Sequence, residues 1–169
     1  MTKEEFLLEL EKLGITLTSY QQEQLKKFYH LLISWNEKIN LTRITSENEV
    51  YLKHFYDSLT ITKVIDLNKV NTLCDVGTGA GFPGIVLKIV YPNLKITLVD
   101  ALQKRVNYLN EIIKELDLSD IVAIHSRGED LKEKYDVVTA RAVANITKLL
   151  NYTMHLVEEN GVFIAMKGN

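Results

Sequence analysis

Asp75-Val76-Gly77-Thr78-Gly79-Ala80-Gly81-Phe82-Pro83-Gly84 carries more information than any other part of this 169-residue chain. It follows a strand-like run, Val70 to Val76, and opens an apolar helix-like run, Ile85 to Val90. Four glycines at a strand-to-helix turn let backbone approach a ligand where a Cβ would clash. Helix-start N–H groups lack partners inside the helix and are expected to face that ligand. The stretch reads as a nucleotide-cofactor loop.

Around this loop the chain alternates strand and helix. Strands are predicted at 72–76, 95–99, 121–125, 136–140 and 161–166, and helices at 84–90, 103–116 and 146–157. That order implies a parallel α/β sheet with right-handed crossovers, a Rossmann-like fold. The link 127–135 is the least regular. Residues 1–66 read instead as an N-terminal helical cap on a cofactor-binding unit, 67–169, the two forming one compact body. Phe6, Leu7, Leu10 and Leu13 share one helix face and Gly14 ends it. Thr18 with Gln21 and Ser46 with Glu49 have the spacing of capping boxes. They open helices carrying Leu25, Phe28, Leu32 and Trp35, and then Val50, Leu52, Phe55 and Leu59.

A net charge of −2 lacks the basic surplus of a free-standing nucleic-acid binder, so any RNA contact must come from a local patch. Lys38, Arg43 and Lys53 are candidates, although solvated surface charge is the plainer reading of each. The single Cys74 excludes an intramolecular disulfide and a multi-cysteine metal site. No apolar run is long enough to span a bilayer, and the first residues do not form a signal peptide. A cytoplasmic protein without membrane or metal partners is expected.

Residues 79–84 also satisfy G-x-G-x-x-G, the dinucleotide fingerprint, which alone is a weak signal. Asp100 ends the second strand about 20 residues on, where a carboxylate accepts ribose hydroxyls. It serves NAD and S-adenosylmethionine equally. Asp75, two residues before the first glycine, offers an acid to a ligand ammonium, which only the sulfonium cofactor has. Glu129, after the third strand, offers an acceptor to an adenine amine. No second domain follows to supply hydride-transfer machinery. These features favour S-adenosyl-L-methionine and keep an NAD-linked oxidoreductase fragment as the alternative.

Several strings resemble one family. They are Trp35-Asn36-Glu37-Lys38-Ile39-Asn40-Leu41-Thr42, His54-Phe55-Tyr56-Asp57-Ser58-Leu59, the glycine loop, Val99-Asp100 with Lys104-Arg105, Thr139-Ala140-Arg141-Ala142-Val143-Ala144, and Lys167-Gly168. The chain is similar to the RsmG (glucose-inhibited division protein B) family, methyltransferases that modify N7 of a guanine in 16S ribosomal RNA. The resemblance implies a class I S-adenosylmethionine-dependent methyltransferase fold. It also implies cofactor contacts from Gly77, Phe82, Gly128, Glu129 and Arg141, with Asp75, Gly79 and Asp100 added by the reading above. Arg-Gly-Glu at 127–129 replaces the family's usual Arg-Ala-Glu. Methyltransferases of this fold continue past a fifth strand, so the resemblance implies a sheet truncated at Asn169. A non-catalytic cofactor- or ribosome-binding module is therefore a further reading. The family implies a monomer acting on 16S ribosomal RNA, possibly within the small subunit. An exposed fifth strand would instead favour an edge-paired dimer.

The residues also narrow the chemistry. An exocyclic amine acceptor commonly goes with an Asn/Asp-Pro-Pro-aromatic turn after the fourth strand, where this chain has Thr139-Ala140-Arg141. Pyrimidine C5 needs a cysteine nucleophile, and Cys74 sits in the wrong strand. Guanine N7 is an unprotonated lone pair and needs no base. Arg141 and Lys167, at the ends of strands four and five, are the candidate catalytic residues, because Arg and Lys commonly read the guanine N7 and O6 edge. His54 and Asp57 share a helix face and are expected to tie the cap to the glycine loop.

Overall fold

A computed structural model describes residues 1–141 and 145–167. Of the strings above, Ala142, Val143, Ala144 and Gly168 lie outside the described residues.

The cap begins with α1 (Lys3–Lys12), capped by Thr2, and α2 (Ser19–Asn36), which opens on a complete Thr18/Gln21 capping box. The next helical stretch has three parts: α3 (Glu47–Val50), a π-helical turn (Tyr51–Tyr56) and α4 (Asp57–Leu59). Two expectations change here. Glu49 bonds the Ser46 hydroxyl and Lys53, so the second capping box lacks its return bond to the Ser46 backbone. The wide π turn also shifts the phase of the buried face. Tyr51, His54 and Phe55 are buried while Leu52 turns outward.

The sheet comprises β1 (Thr72–Val76), β2 (Lys95–Asp100), β3 (Ile121–His125), β4 (Tyr135–Arg141) and β5 (Val157–Met166). All pairings are parallel, in the order β3-β2-β1-β4-β5. Between them run α5 (Gly84–Val90), α6 (Gln103–Glu115) and α7 (Ile146–Thr153). The helix expected to reach 157 stops at Thr153 and tightens into a 3₁₀ turn over Met154–Leu156. β5 starts at Val157, earlier than the apolar pattern suggests. A register shift between Tyr135 and Val137 accommodates its polar Glu158-Glu159-Asn160.

Strand alternation sorts side chains between the sheet faces. Leu73, Ile96, Leu98 and Val137 join α5, α6 and the cap in one continuous core containing Phe6, Leu10, Phe28, Phe55 and Phe82. Cys74, Val76, Val99 and Val138 belong to a smaller cluster with Tyr135 and Leu156. No helix among the described residues is long and apolar enough to cross a membrane.

Candidate functional site

A cavity of about 470 Å³ opens at the C-terminal ends of β1, β2 and β4. Ligands of open α/β sheets bind there, at the point where strand order reverses. Its walls include Val76 and Gly77 from β1 and its turn, Val99, Asp100 and Ala101 from the end of β2, and Ser126 to Glu129 after β3. Arg141 closes β4, and Lys148, Leu149 and Tyr152 of α7 cover the remaining side.

The glycine loop is held rigidly. The N–H groups of Gly77 and Thr78 both donate to the Val99 carbonyl, at 2.8 and 3.0 Å. Gly77 takes a φ of +67°, which disfavours any side chain and leaves bare backbone on the cavity wall. Asp100 accepts from Gly79 N–H at 2.9 Å and Leu102 N–H at 3.0 Å, with Arg105 Nη1 at 3.7 Å. Each carboxylate oxygen can accept a second bond, so Asp100 braces the loop while still lining the cavity.

Of the residues singled out from sequence, Gly77, Asp100, Gly128, Glu129 and Arg141 come together around the cavity. Asp75 does not. It precedes Val76 by one position, so its side chain points to the opposite face, away from any ligand in the cavity. There its fully buried carboxylate accepts from Thr78 Oγ1 at 2.7 Å, Gly84 N–H at 2.9 Å and Thr139 Oγ1 at 2.9 Å. This corrects the reading of the helix start as well. The N–H of Gly84 meets the chain's own carboxylate. A Cβ at Gly84 would run into Leu98 Cδ2 and come within 3.0 Å of Asp75 Oδ2, so a side chain there would have to displace the packed Leu98 side chain and crowd the carboxylate. Burial pushes the Asp75 acid up to about 7, against the pull of its three hydrogen bonds and Arg141. Gly79 contributes through its N–H to Asp100 and is not part of the wall. Lys167, directly after β5, is exposed and lies off the cavity.

Phe82 also lies behind the wall, on the cap side. His54 stacks on it at 4.3 Å and 8°, and the Arg141 guanidinium sits 5.9 Å from its ring centre. Arg141 donates to the Lys53 carbonyl at 2.8 Å and to Asp57 Oδ2 at 2.9 Å, and its Nη1 lies 3.5 Å from His54 Nδ1. A guanidinium only donates, which leaves Nδ1 as the acceptor and puts the imidazole proton on Nε2, toward Thr42 Oγ1 at 2.8 Å. Burial, reinforced by the Arg141 charge, lowers His54 to about 4, so it is neutral at neutral pH. His54 and Asp57 thus join the cap to the glycine loop and to β4. Cys74 is fully buried, and burial pushes its thiol well up, which leaves no thiolate for catalysis.

The sequence reading missed the α7 wall. Leu149 and Tyr152 are three apart on one helix face, and a helix directly after β4 must pass the ligand-binding end of the sheet. That spacing was the available signal. The residues fit an adenosyl cofactor: an apolar lining from Val76, Val99 and Leu149, a ribose-type acceptor at Asp100, and further acceptors at Glu129 and Ser126. Among the described residues no cluster of His, Cys, Asp and Glu is arranged to hold a metal.

Comparison with known proteins identifies the fold and the family. The family described as rRNA small subunit methyltransferase G (GidB) matches residues 21–169. The chain is 49% identical to "Ribosomal RNA small subunit methyltransferase G" of Bacillus pumilus (strain SAFR-032), across 100% of this chain and 73% of that protein. It is 52% identical to the protein of that name from Staphylococcus haemolyticus (strain JCSC1435), across 95% of this chain and 69% of the other. Among solved structures, a SAM-dependent methyltransferase from Aquifex aeolicus aligns with a TM-score of 0.58 at 20% identity, covering 79% of this chain and 71% of that one. Coclaurine N-methyltransferase bound to N-methylheliamine and SAH aligns at 0.59 and 13%, covering 96% and 57%. These structures share the fold, a Rossmann-like class I methyltransferase sheet. With its cavity, its glycine turn and close relatives along nearly its whole length, the chain belongs to the rRNA small subunit methyltransferase G family.

Proposed function

We propose that the chain uses S-adenosylmethionine to methylate N7 of a guanine in 16S ribosomal RNA, which would place it in the cytoplasm. One observation carries this reading. In a chain about half identical to proteins named as ribosomal RNA methyltransferases, the cavity presents bare Gly77 backbone beside the Asp100 carboxylate. When bound, the cofactor supplies an electrophilic methyl carbon on a sulfonium.

The chain's own residues bind and orient. Asp100 is placed to accept ribose hydroxyls, and Glu129 to accept from an adenine amine. Val76, Val99, Leu149 and Tyr152 exclude water. Arg141 lines the cavity and is held by the cap as a fixed cation beside the cofactor or the guanine edge. Guanine N7 presents a lone pair without losing a proton, so alignment can do most of the work. The site matches that demand: Cys74 is sealed away, and neutral His54 is committed to Thr42 and Arg141. Lys167 is assigned to the RNA side of the reaction, since it lies off the cavity.

The test is transfer of a labelled methyl group from S-adenosylmethionine to small ribosomal subunits that lack N7 methylation. Label on guanine N7, blocked by prior methylation, is expected. Label on another atom would refute the acceptor. Cofactor binding without transfer would favour the non-catalytic module. A melting shift with NADH and none with S-adenosylhomocysteine would favour the oxidoreductase alternative. Saturation with S-adenosylhomocysteine at a hundred times its Kd should add about 2.7 kcal/mol of stability.

A further inference from the structure

The acceptors that hold Arg141 come from the cap. In an α-helix the Asp57 N–H would bond to the carbonyl of Lys53, four residues back. Here it bonds to the carbonyls of Leu52 and His54 instead, because the turn is π-helical. That leaves an acceptor site on the Lys53 carbonyl, and Arg141 Nη2 takes it at 2.8 Å. The same nitrogen reaches Asp57 Oδ2 at 2.9 Å, and Phe82 lies beneath the guanidinium. The Arg141 side chain is mostly buried, whereas Asp57 is partly open and lines no part of the cavity. π-helical turns of this kind are frequent at functional sites.

We propose that Asp57 is a positioning residue for the reaction. It touches neither ligand and acts by holding Arg141, whose residue lines the cavity, in one orientation through its guanidinium, with the freed Lys53 carbonyl. The Arg141 aliphatic stem can adopt many rotamers, and an arginine released from Asp57 would have to be ordered anew by each ligand. The cap therefore contributes to the cofactor site without lining it. This rests on the cofactor assignment made under Proposed function.

The test is calorimetric titration of S-adenosylhomocysteine into the wild-type chain, Asp57→Ala, Arg141→Ala and the double variant, with the melting temperature of each recorded. Asp57→Ala should weaken binding about tenfold, and that loss should vanish once Arg141 is already alanine. Asp57→Asn keeps one acceptor oxygen and should recover part of the affinity; it is also the fallback if Asp57→Ala does not fold. Wild-type affinity in both Asp57 variants would overturn the proposal. So would an equal loss with and without Arg141, or a drop in melting temperature alone. If the wild-type chain itself takes up no S-adenosylhomocysteine, the cofactor assignment fails first and the role of Asp57 falls with it.

Discussion

The two faces of the sheet divide the labour. On one face, Leu73, Leu98 and Val137 meet α5, α6 and the cap in a continuous apolar core crossed by the aromatic contacts of Phe28 with Phe55 and Phe82. On the other, a small cluster around Cys74, Val99 and Val138 lies beside an open cavity. Apolar burial is the main source of stability, so the cap face should carry the larger share. The cavity face spends its position on backbone and polar groups that a ligand can reach. Adjacent residues show the split: Asp75 is sealed on the first face, and Val76 lines the cavity on the second.

The largest test of this division is Phe28→Ala. Phe28 is fully buried, and its loss should cost about 3–5 kcal/mol, read by denaturant unfolding. Below its melting temperature the variant should bind S-adenosylhomocysteine within a few-fold of wild type. Affinity that collapses together with stability would mean the faces are not separable.

Next comes Asp75→Ala, which leaves Gly84 N–H and two threonine hydroxyls without their acceptor and should cost about 1–3 kcal/mol per stranded group at most. The charge state gives a sharper test. The folded state raises the Asp75 acid from 3.8 to about 7, so its contribution to stability is full below 3.8 and is lost as pH rises toward 7. His54 is lowered from 6.5 to about 4, so its contribution is full above 6.5 and is lost as pH falls toward 4. Relative to wild type, Asp75→Asn should gain stability with rising pH through this window, and His54→Gln with falling pH. Two slopes of the same sign in urea unfolding would contradict the assignment.

A smaller effect is expected at the cavity. Tyr152→Ala removes wall without touching either buried cluster. It should weaken S-adenosylhomocysteine about tenfold and shift unfolding by less than about 1 kcal/mol. The smallest belongs to Lys167→Ala: cofactor affinity within about twofold of wild type, with any loss confined to methyl transfer onto RNA. A large loss of cofactor binding would contradict the assignment of Lys167 to the RNA side.

Much of this was legible before the structure, for identifiable reasons. The alternation of 72–76, 84–90 and 95–99 follows from short apolar runs broken first by glycines and then by Pro92-Asn93, and those boundaries hold closely. Gly77, Asp100, Gly128, Glu129 and Arg141 converge because strand ends in a parallel sheet converge. The misplacement of Asp75 came from reading spacing along the chain without the period-two alternation that turns its side chain toward α5. The π turn at Tyr51–Tyr56 left no signal in the apolar pattern, and with it the capture of Arg141 by Lys53 and Asp57 was hidden. The α7 wall was readable as a helix, but its role depends on how it folds back over the cavity.

The most direct test of the central claim is a crystal structure of the chain with S-adenosylhomocysteine. The account predicts ligand density between Gly77, Asp100, Glu129 and Tyr152, with the ribose hydroxyls on Asp100. Density outside this cavity, or a ribose directed away from Asp100, would contradict it.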